Sequence, residues 1–212
     1  MGSGVIFDPM SSTEPSIQER ILTAARGLFL TKGYNGSNLR DIASEAQVSM
    51  GGIYHHFDSK EDIYNALIHS QEAPKALATI SELFEDPLFP ENLGDIGSTI
   101  FQSVREHRDF FKLVYLDVLE FQAKNVRHII QAFRKIISSR SADLLSHRTA
   151  KNQVADVHPA IMVRCMFDLF LYFGLEEVML EQSLGDELQM SSEDVADQMA
   201  KIMLYGVMRR DS

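Results

Sequence analysis

The sequence predicts an all-α protein: a small N-terminal head of three helices built around a helix-turn-helix, followed by a larger helical body. Three observations carry this. Apolar residues recur at helical spacing along most of the 212-residue chain. Strand signals are nearly absent, and the 6 prolines and 12 glycines are few enough to punctuate helices rather than break them. The stretch from Ser37 to Tyr64 reads as a short helix, a tight turn, a very short second helix and the capped start of a third.

The first helix opens at Ser16, with Glu19 completing a capping box, and continues through Ile21, Leu22, Ala25, Leu28 and Phe29 to Gly33 as its C-terminal stop. Ser37 and Asn38 are both good N-caps for the next helix, whose apolar positions are Leu39, Ile42, Ala43 and Ala46. Gln47 stands where a turn must form, and Val48 can tuck between helices. Ser49 caps a helix through Met50, Gly51, Gly52, Ile53, Tyr54, His55 and His56. Asp58 restarts the chain in a helix, with Glu61 placed for a second capping box. Two helices joined by so short a turn form a helix-turn-helix, whose second helix enters the major groove of DNA.

Gly33-Tyr34, the run from Ser37 to Ala43 and the run from Val48 to Asp62 resemble the DNA-binding domain of the tetracycline-repressor-like (TetR) family over about residues 16 to 65. Ser37-Asn38 departs from the two threonines common there, but both remain capping residues. The resemblance implies that Ser37, Asn38 and Arg40 hold phosphate at a helix N-terminus. It implies further that Ser49, Met50, Gly51, Gly52, Tyr54 and His55 meet DNA, and that Lys60 contacts phosphate. Met50 can touch a thymine methyl but offers no bidentate hydrogen bond, so no operator is readable. Gly51 and Gly52 each cost roughly 1 kcal/mol in a helix relative to alanine. Close approach to DNA explains them, and so would a tight helix–helix contact. Phe57 is expected in the core, and His56 is divided between core and phosphate.

These readings divide the chain into a tail at 1–14, a head at 15–60 and a body at 61–212 that binds an effector and dimerises. The body is expected to hold helices at about 75–85, 92–106, 108–121, 124–147, 157–182 and 191–209, with Pro87 and Pro90 in a loop and Ser191 or Ser192 opening the last. The helix from Ile161 to Leu180 is apolar almost all round and must be covered on every side. Either it lies wholly inside its own domain, or one face meets a second copy. The resemblance implies the second: a homodimer through the last two helices, with Phe170, Leu171, Gly174 and Val178 expected at the interface. It also implies a small apolar or amphipathic effector inside the body. Phe101, Phe111, Tyr115, Phe133, Arg164, Phe167 and Asp168 are the expected lining, although each aromatic can equally be ordinary core. Arg164 and Asp168, four apart, either pair with each other or supply a polar handle.

The net charge of −10 runs against the basic balance usual in a DNA binder. Six cationic and seven acidic residues leave the segment 16–75 close to neutral, so most of the negative charge lies in the body. The position of Arg40, Lys60 and the helix ends matters more than the sum. No signal peptide or bilayer-long apolar run is read, and a single cysteine, Cys165, suits a reducing cytoplasm. Cys165 is expected as a buried, inert thiol. Adjacent His55-His56 lacks the spacing that puts two imidazoles on one helix face, and the other histidines are scattered. No nucleophile motif or phosphate loop stands out, so neither metal nor cofactor is expected and catalysis is not. The double-stranded DNA regulator is the leading reading. A helical carrier of small molecules or lipids, or an enzyme using the body cavity directly, is the alternative.

Overall fold

The computed structural model describes residues 14–70, 78, 82, 86, 88–136, 139 and 158–205. Among these residues there are helices and turns and no strand. Two compact units divide at Tyr64, Met1–Tyr64 and Asn65–Ser212, so the boundary falls inside a helix rather than before it.

The first unit contains α1 (Ile17–Lys32), α2 (Leu39–Glu45), α3 (Met50–His56) and the start of α4 (Lys60–Ile68). α1 opens on the expected capping box, with Ser16 and Glu19 each accepting the other's backbone N–H. Those hydrogen bonds hold the Glu19 carboxyl below its ordinary range. Gly33 ends α1 at φ 75°, a left-handed value that glycine adopts without strain. Ile21, Ala25, Phe29, Ile42, Ile53, Ile63 and Tyr64 form the interior of the head, each fully buried. The restart of the chain differs by one residue from the sequence expectation. Ser59, not Asp58, caps α4 by accepting the Asp62 N–H, and its hydroxyl donates to the Asp62 carboxylate.

The second unit is built around α5 (Leu93–Glu106), which packs most extensively against the long α8 (Pro159–Leu180) and the final α10 (Ser192–Tyr205). α6 (Arg108–Phe121) lies against α8, α7 covers residues 127–136, and a short α9 (Leu184–Leu188) fills the connection before α10. α9 was not foreseen; its Ser183–Asp186 capping box marks it, and the Ser183 hydrogen bonds hold the Asp186 carboxyl low. Ser191 is the residue that caps α10. Apart from Ala78, Glu82 and Ser139, each helical, the helix expected at 75–85 and the far half of that at 124–147 lie outside the described residues.

Two features tie this unit together. Arg105 reaches from α5 to Glu177 on α8 and to the Ser192 hydroxyl at the start of α10. Asp117, fully buried near the end of α6, accepts from the backbone N–H groups of Asn125 and Val126 and from the Asn125 amide. A buried carboxylate left without such donors would be costly, so Asp117 locks the corner between α6 and α7.

The burial pattern of α8 corrects the expected interface. Phe170, Gly174 and Val178 are buried inside their own unit, and Leu171 packs against its core. The opposite face of α8 is the open one: Ile161, Cys165, Leu169 and Tyr172, spaced three or four apart, are exposed, as are Met179, two turns further on, and Leu180. Cys165 is therefore on the surface, not buried as expected. Ile202 and Tyr205 add exposed apolar side chains on α10.

Candidate functional site

The head presents α3 and the N-terminus of α2 on its surface. Gln47 adopts φ 54° in the turn between them, a left-handed conformation uncommon outside glycine. The turn is stabilised from α1: the Arg20 guanidinium donates to the Ala46 carbonyl at 2.6 Å and the Gln47 carbonyl at 2.7 Å. Arg20 is a positioning residue that sequence reasoning passed over, because nothing local links it to a turn 26 residues away. Ser49 caps α3 through the Gly52 N–H, so its oxygen accepts within the helix.

Along α3, Gly51, Tyr54 and His55 are exposed, while Met50 and Gly52 are half-buried. Ile53 is buried and holds the helix onto the head. A Cβ on Gly51 would approach only Ser49 Oγ, at 3.6 Å, and one on Gly52 would come no closer than 3.4 Å to Val48. These are ordinary contacts. No neighbouring helix within the head requires either glycine. His56 is exposed and stacks edge-on to His55, so it is not core; Phe57 is buried as expected.

At α2 the two candidate caps have different jobs. Asn38 is the N-cap: its side-chain oxygen accepts from the N–H groups of Arg40 and Asp41. Its side chain is exposed beside exposed Arg40. Ser37, expected at phosphate, is instead 3% exposed, with its hydroxyl directed to the carbonyls of Gly33 and Leu28. It ties the loop back to the end of α1 and cannot serve as a surface donor. Lys60 also departs from expectation. Its ammonium donates to the carbonyls of Tyr34 and Ser37, both at 2.7 Å, and lies 4.0 Å from the centre of the Tyr34 ring. Charge-assisted hydrogen bonds and a cation–π contact pin the α1–α2 loop onto α4.

The second unit contains a cavity of about 310 Å³ between α6, α7 and α8. Of the residues expected to line a pocket, Phe111, Tyr115, Phe133, Phe167 and Asp168 meet there. Phe101 and Arg164 are not in the wall. Phe101 packs against Phe170 and faces Gly174 on the other side of α8, whereas Arg164 is ion-paired with Asp168. Leu171, expected at a dimer interface, lines the cavity, as do Val114 and Ile130, which sequence reasoning missed. Among the described residues no group of three or more His, Cys, Asp or Glu side chains could hold a metal. No described helix is long and apolar enough to cross a membrane.

Comparison with known proteins points to the same head. The profile of bacterial regulatory proteins of the tetR family matches residues 21–67. The HTH-type transcriptional regulator UidR of Escherichia coli is 35% identical over 80 residues, which are 38% of this chain and 40% of UidR. The HTH-type transcriptional repressor BepR of Brucella suis is 43% identical over 58 residues, 27% of this chain and 28% of BepR. The chain thus spans less than half the length of these curated relatives. A solved structure, a Clostridium perfringens putative fatty acid metabolism regulator, is similar over 90% of this chain and 100% of its own, with 25% identity and a TM-score of 0.66. The head therefore matches the DNA-binding domain of the tetR family of bacterial regulatory proteins over residues 21–67, and the fold of the chain is similar to that of the solved regulator.

Proposed function

We propose that this protein is a sequence-specific, DNA-binding transcriptional regulator, a homodimeric repressor that is released from its operator by a small apolar or amphipathic effector. The observation that carries the reading is α3: a capped helix with Gly51, Tyr54 and His55 on its open side and glycines that no internal contact demands. A stability-driven sequence would place alanine there. Tyr54 and His55 are donors suited to phosphate, and Gly51 and Gly52 admit the DNA backbone or base edges. Asn38 and Arg40 at the start of α2 supply a second set of phosphate donors, where the helix end also favours an anion.

The exposed apolar face of α8, together with Ile202 and Tyr205 of α10, supports the dimer. Such a face is covered by a second copy in a twofold pairing, which also supplies the two heads that a pair of half-sites about 34–36 Å apart requires. The apolar cavity of the second unit supports an effector, and the likeness to a putative fatty acid metabolism regulator agrees with an amphipathic one. α4 carries the chain from the head into the second unit, so it is the element through which cavity occupancy reaches the head. An effector acts only if it binds the DNA-incompetent arrangement more tightly.

Selection of bound sequences from random double-stranded DNA, followed by gel-shift titration at several salt concentrations, tests the proposal. The expected result is a palindromic consensus bound with a steep salt slope, both weakened in an Arg40→Ala, Tyr54→Phe double variant. Enrichment of no sequence, or an affinity and salt slope indifferent to both substitutions, would overturn it.

A further inference from the structure

The geometry points to a carboxylate-bearing amphipath as the occupant of the cavity in the second unit, with its hydrocarbon body among the aromatic and branched side chains and its carboxylate at Arg134. This rests on the effector reading above and gives that effector a chemical class.

The cavity wall is almost entirely apolar. Among the described residues, the polar side chains that line it are Tyr115, Arg134 and Asp168. A charged group placed deep among the phenylalanines would lose its hydration without replacement, so any charge on a ligand must stay at the mouth. Tyr115 and Val118, both of which line the cavity, are 41% and 45% exposed and mark where it opens. Arg134 is exposed as well, so its charged end has access to solvent while the residue contributes to the wall.

The two lining charges are not equivalent. Asp168 is already neutralised by Arg164, one turn earlier on α8. A cationic ligand would have to displace that guanidinium before pairing with Asp168. Arg134 forms no ion pair with any of the described residues, so an arriving anion meets a cation that needs no release. The planar fork of a guanidinium matches a carboxylate in two parallel hydrogen bonds. The cavity, at about 310 Å³, is at the small end of ligand pockets, which fits a medium-length chain rather than a bulky ring system.

Three probes sharing one chain and differing in head charge separate the possibilities: decanoate, decan-1-ol and decylammonium, each kept below its micellar concentration. Binding to the full-length protein is read by titration calorimetry, and release from selected DNA by gel shift. Decanoate is expected to bind tightest and decylammonium weakest. Arg134→Gln, at an exposed position that leaves the fold intact, should weaken decanoate about fivefold, the scale of a charge-assisted contact at a partly wet site, and leave decan-1-ol unchanged. Val118→Trp, which narrows the mouth, should weaken decanoate and decan-1-ol together. Decylammonium binding as tightly as decanoate, no binding of decanoate at all, or a decanoate affinity indifferent to both substitutions would overturn the assignment. The effector reading fails separately: decanoate bound at Arg134 without effect on DNA sinks release by the effector but not the carboxylate site. Release by decylammonium with decanoate inert does the reverse.

Discussion

Gly97 and Phe170 are fitted to each other. A Cβ built on Gly97 would stand 2.6 Å from Cδ1 and 2.8 Å from Cζ of the Phe170 ring, and that ring is fully buried. The phenyl group lies where a side chain on α5 would otherwise be, which lets α5 and α8 approach closely. Gly174, farther along α8, repeats the arrangement in the other direction by facing Phe101 and Val104 at 3.4 Å.

This fit predicts that Gly97→Ala destabilises the second unit although alanine is the better helix former. Helix propensity alone would favour alanine by about 1 kcal/mol. Overpacking against a ring with no room to move costs about 1–3 kcal/mol, so the net sign is destabilising. Phe170→Ala should cost more, about 3–5 kcal/mol. Urea unfolding followed by circular dichroism measures both. A Gly97→Ala protein as stable as the parent would mean that the ring relocates freely and that the fit has no energetic weight.

A second prediction separates core from interface on α8. Phe170→Glu places a carboxylate in the interior and should give unfolded or insoluble protein. Tyr172→Glu alters a residue that is 58% exposed and should leave a folded chain of unchanged helicity that runs as a monomer in light scattering. A Tyr172→Glu protein that keeps the mass of a dimer would move the pairing surface away from this face of α8.

The phase of α8 illustrates what was not legible in the sequence. A helix apolar on every side has no polar stripe to say which face turns inward. That choice is made by Gly97 and its neighbours on α5, some seventy positions earlier in the chain. Ser37 and Asn38 pose the same problem on a smaller scale. Both are good caps, and only the path of the loop beneath α1 decides that Asn38 caps and Ser37 is enclosed. Asp117 escaped notice because a carboxylate inside an apolar run looks like a solvated one until its donors at Asn125 and Val126 are placed. In contrast, the head was readable almost residue by residue, since its caps, its turn and its buried Ile42, Ile53 and Phe57 are local signals. The cavity was half readable: aromatic positions on α6 and α8 follow from composition, but only packing shows that Phe101 faces away from it.

Lys60 provides the third prediction. With its ammonium on the carbonyls of Tyr34 and Ser37, Lys60→Met removes two charge-assisted hydrogen bonds and leaves both acceptors without that donor. The head should lose about 1–3 kcal/mol, a figure at the lower end because the site is only part-buried. Amide hydrogen exchange would show the loss first in the loop 33–38. At a temperature where the variant is still folded, the salt slope of DNA binding should be unchanged, because Lys60 acts by holding the loop rather than by releasing a counterion. A slope reduced by about one unit with undiminished stability would return Lys60 to the DNA surface.

The last prediction concerns Gly51, where stability and function should move in opposite directions. Its position in α3 is exposed, and an added methyl group would meet nothing closer than Ser49 Oγ at 3.6 Å. Gly51→Ala should therefore raise the stability of the head by up to about 1 kcal/mol, the helix propensity difference. If α3 lies against DNA at this residue, the same methyl group stands between helix and duplex, and affinity should fall about tenfold or more, equivalent to ~1.4 kcal/mol. Thermal unfolding and gel-shift titration of one purified variant give both numbers. A stabilised head with full affinity would mean that nothing approaches Gly51 in the complex, and the orientation of α3 towards DNA would have to be abandoned. A destabilised head would point to an internal contact that the packing around α3 does not contain.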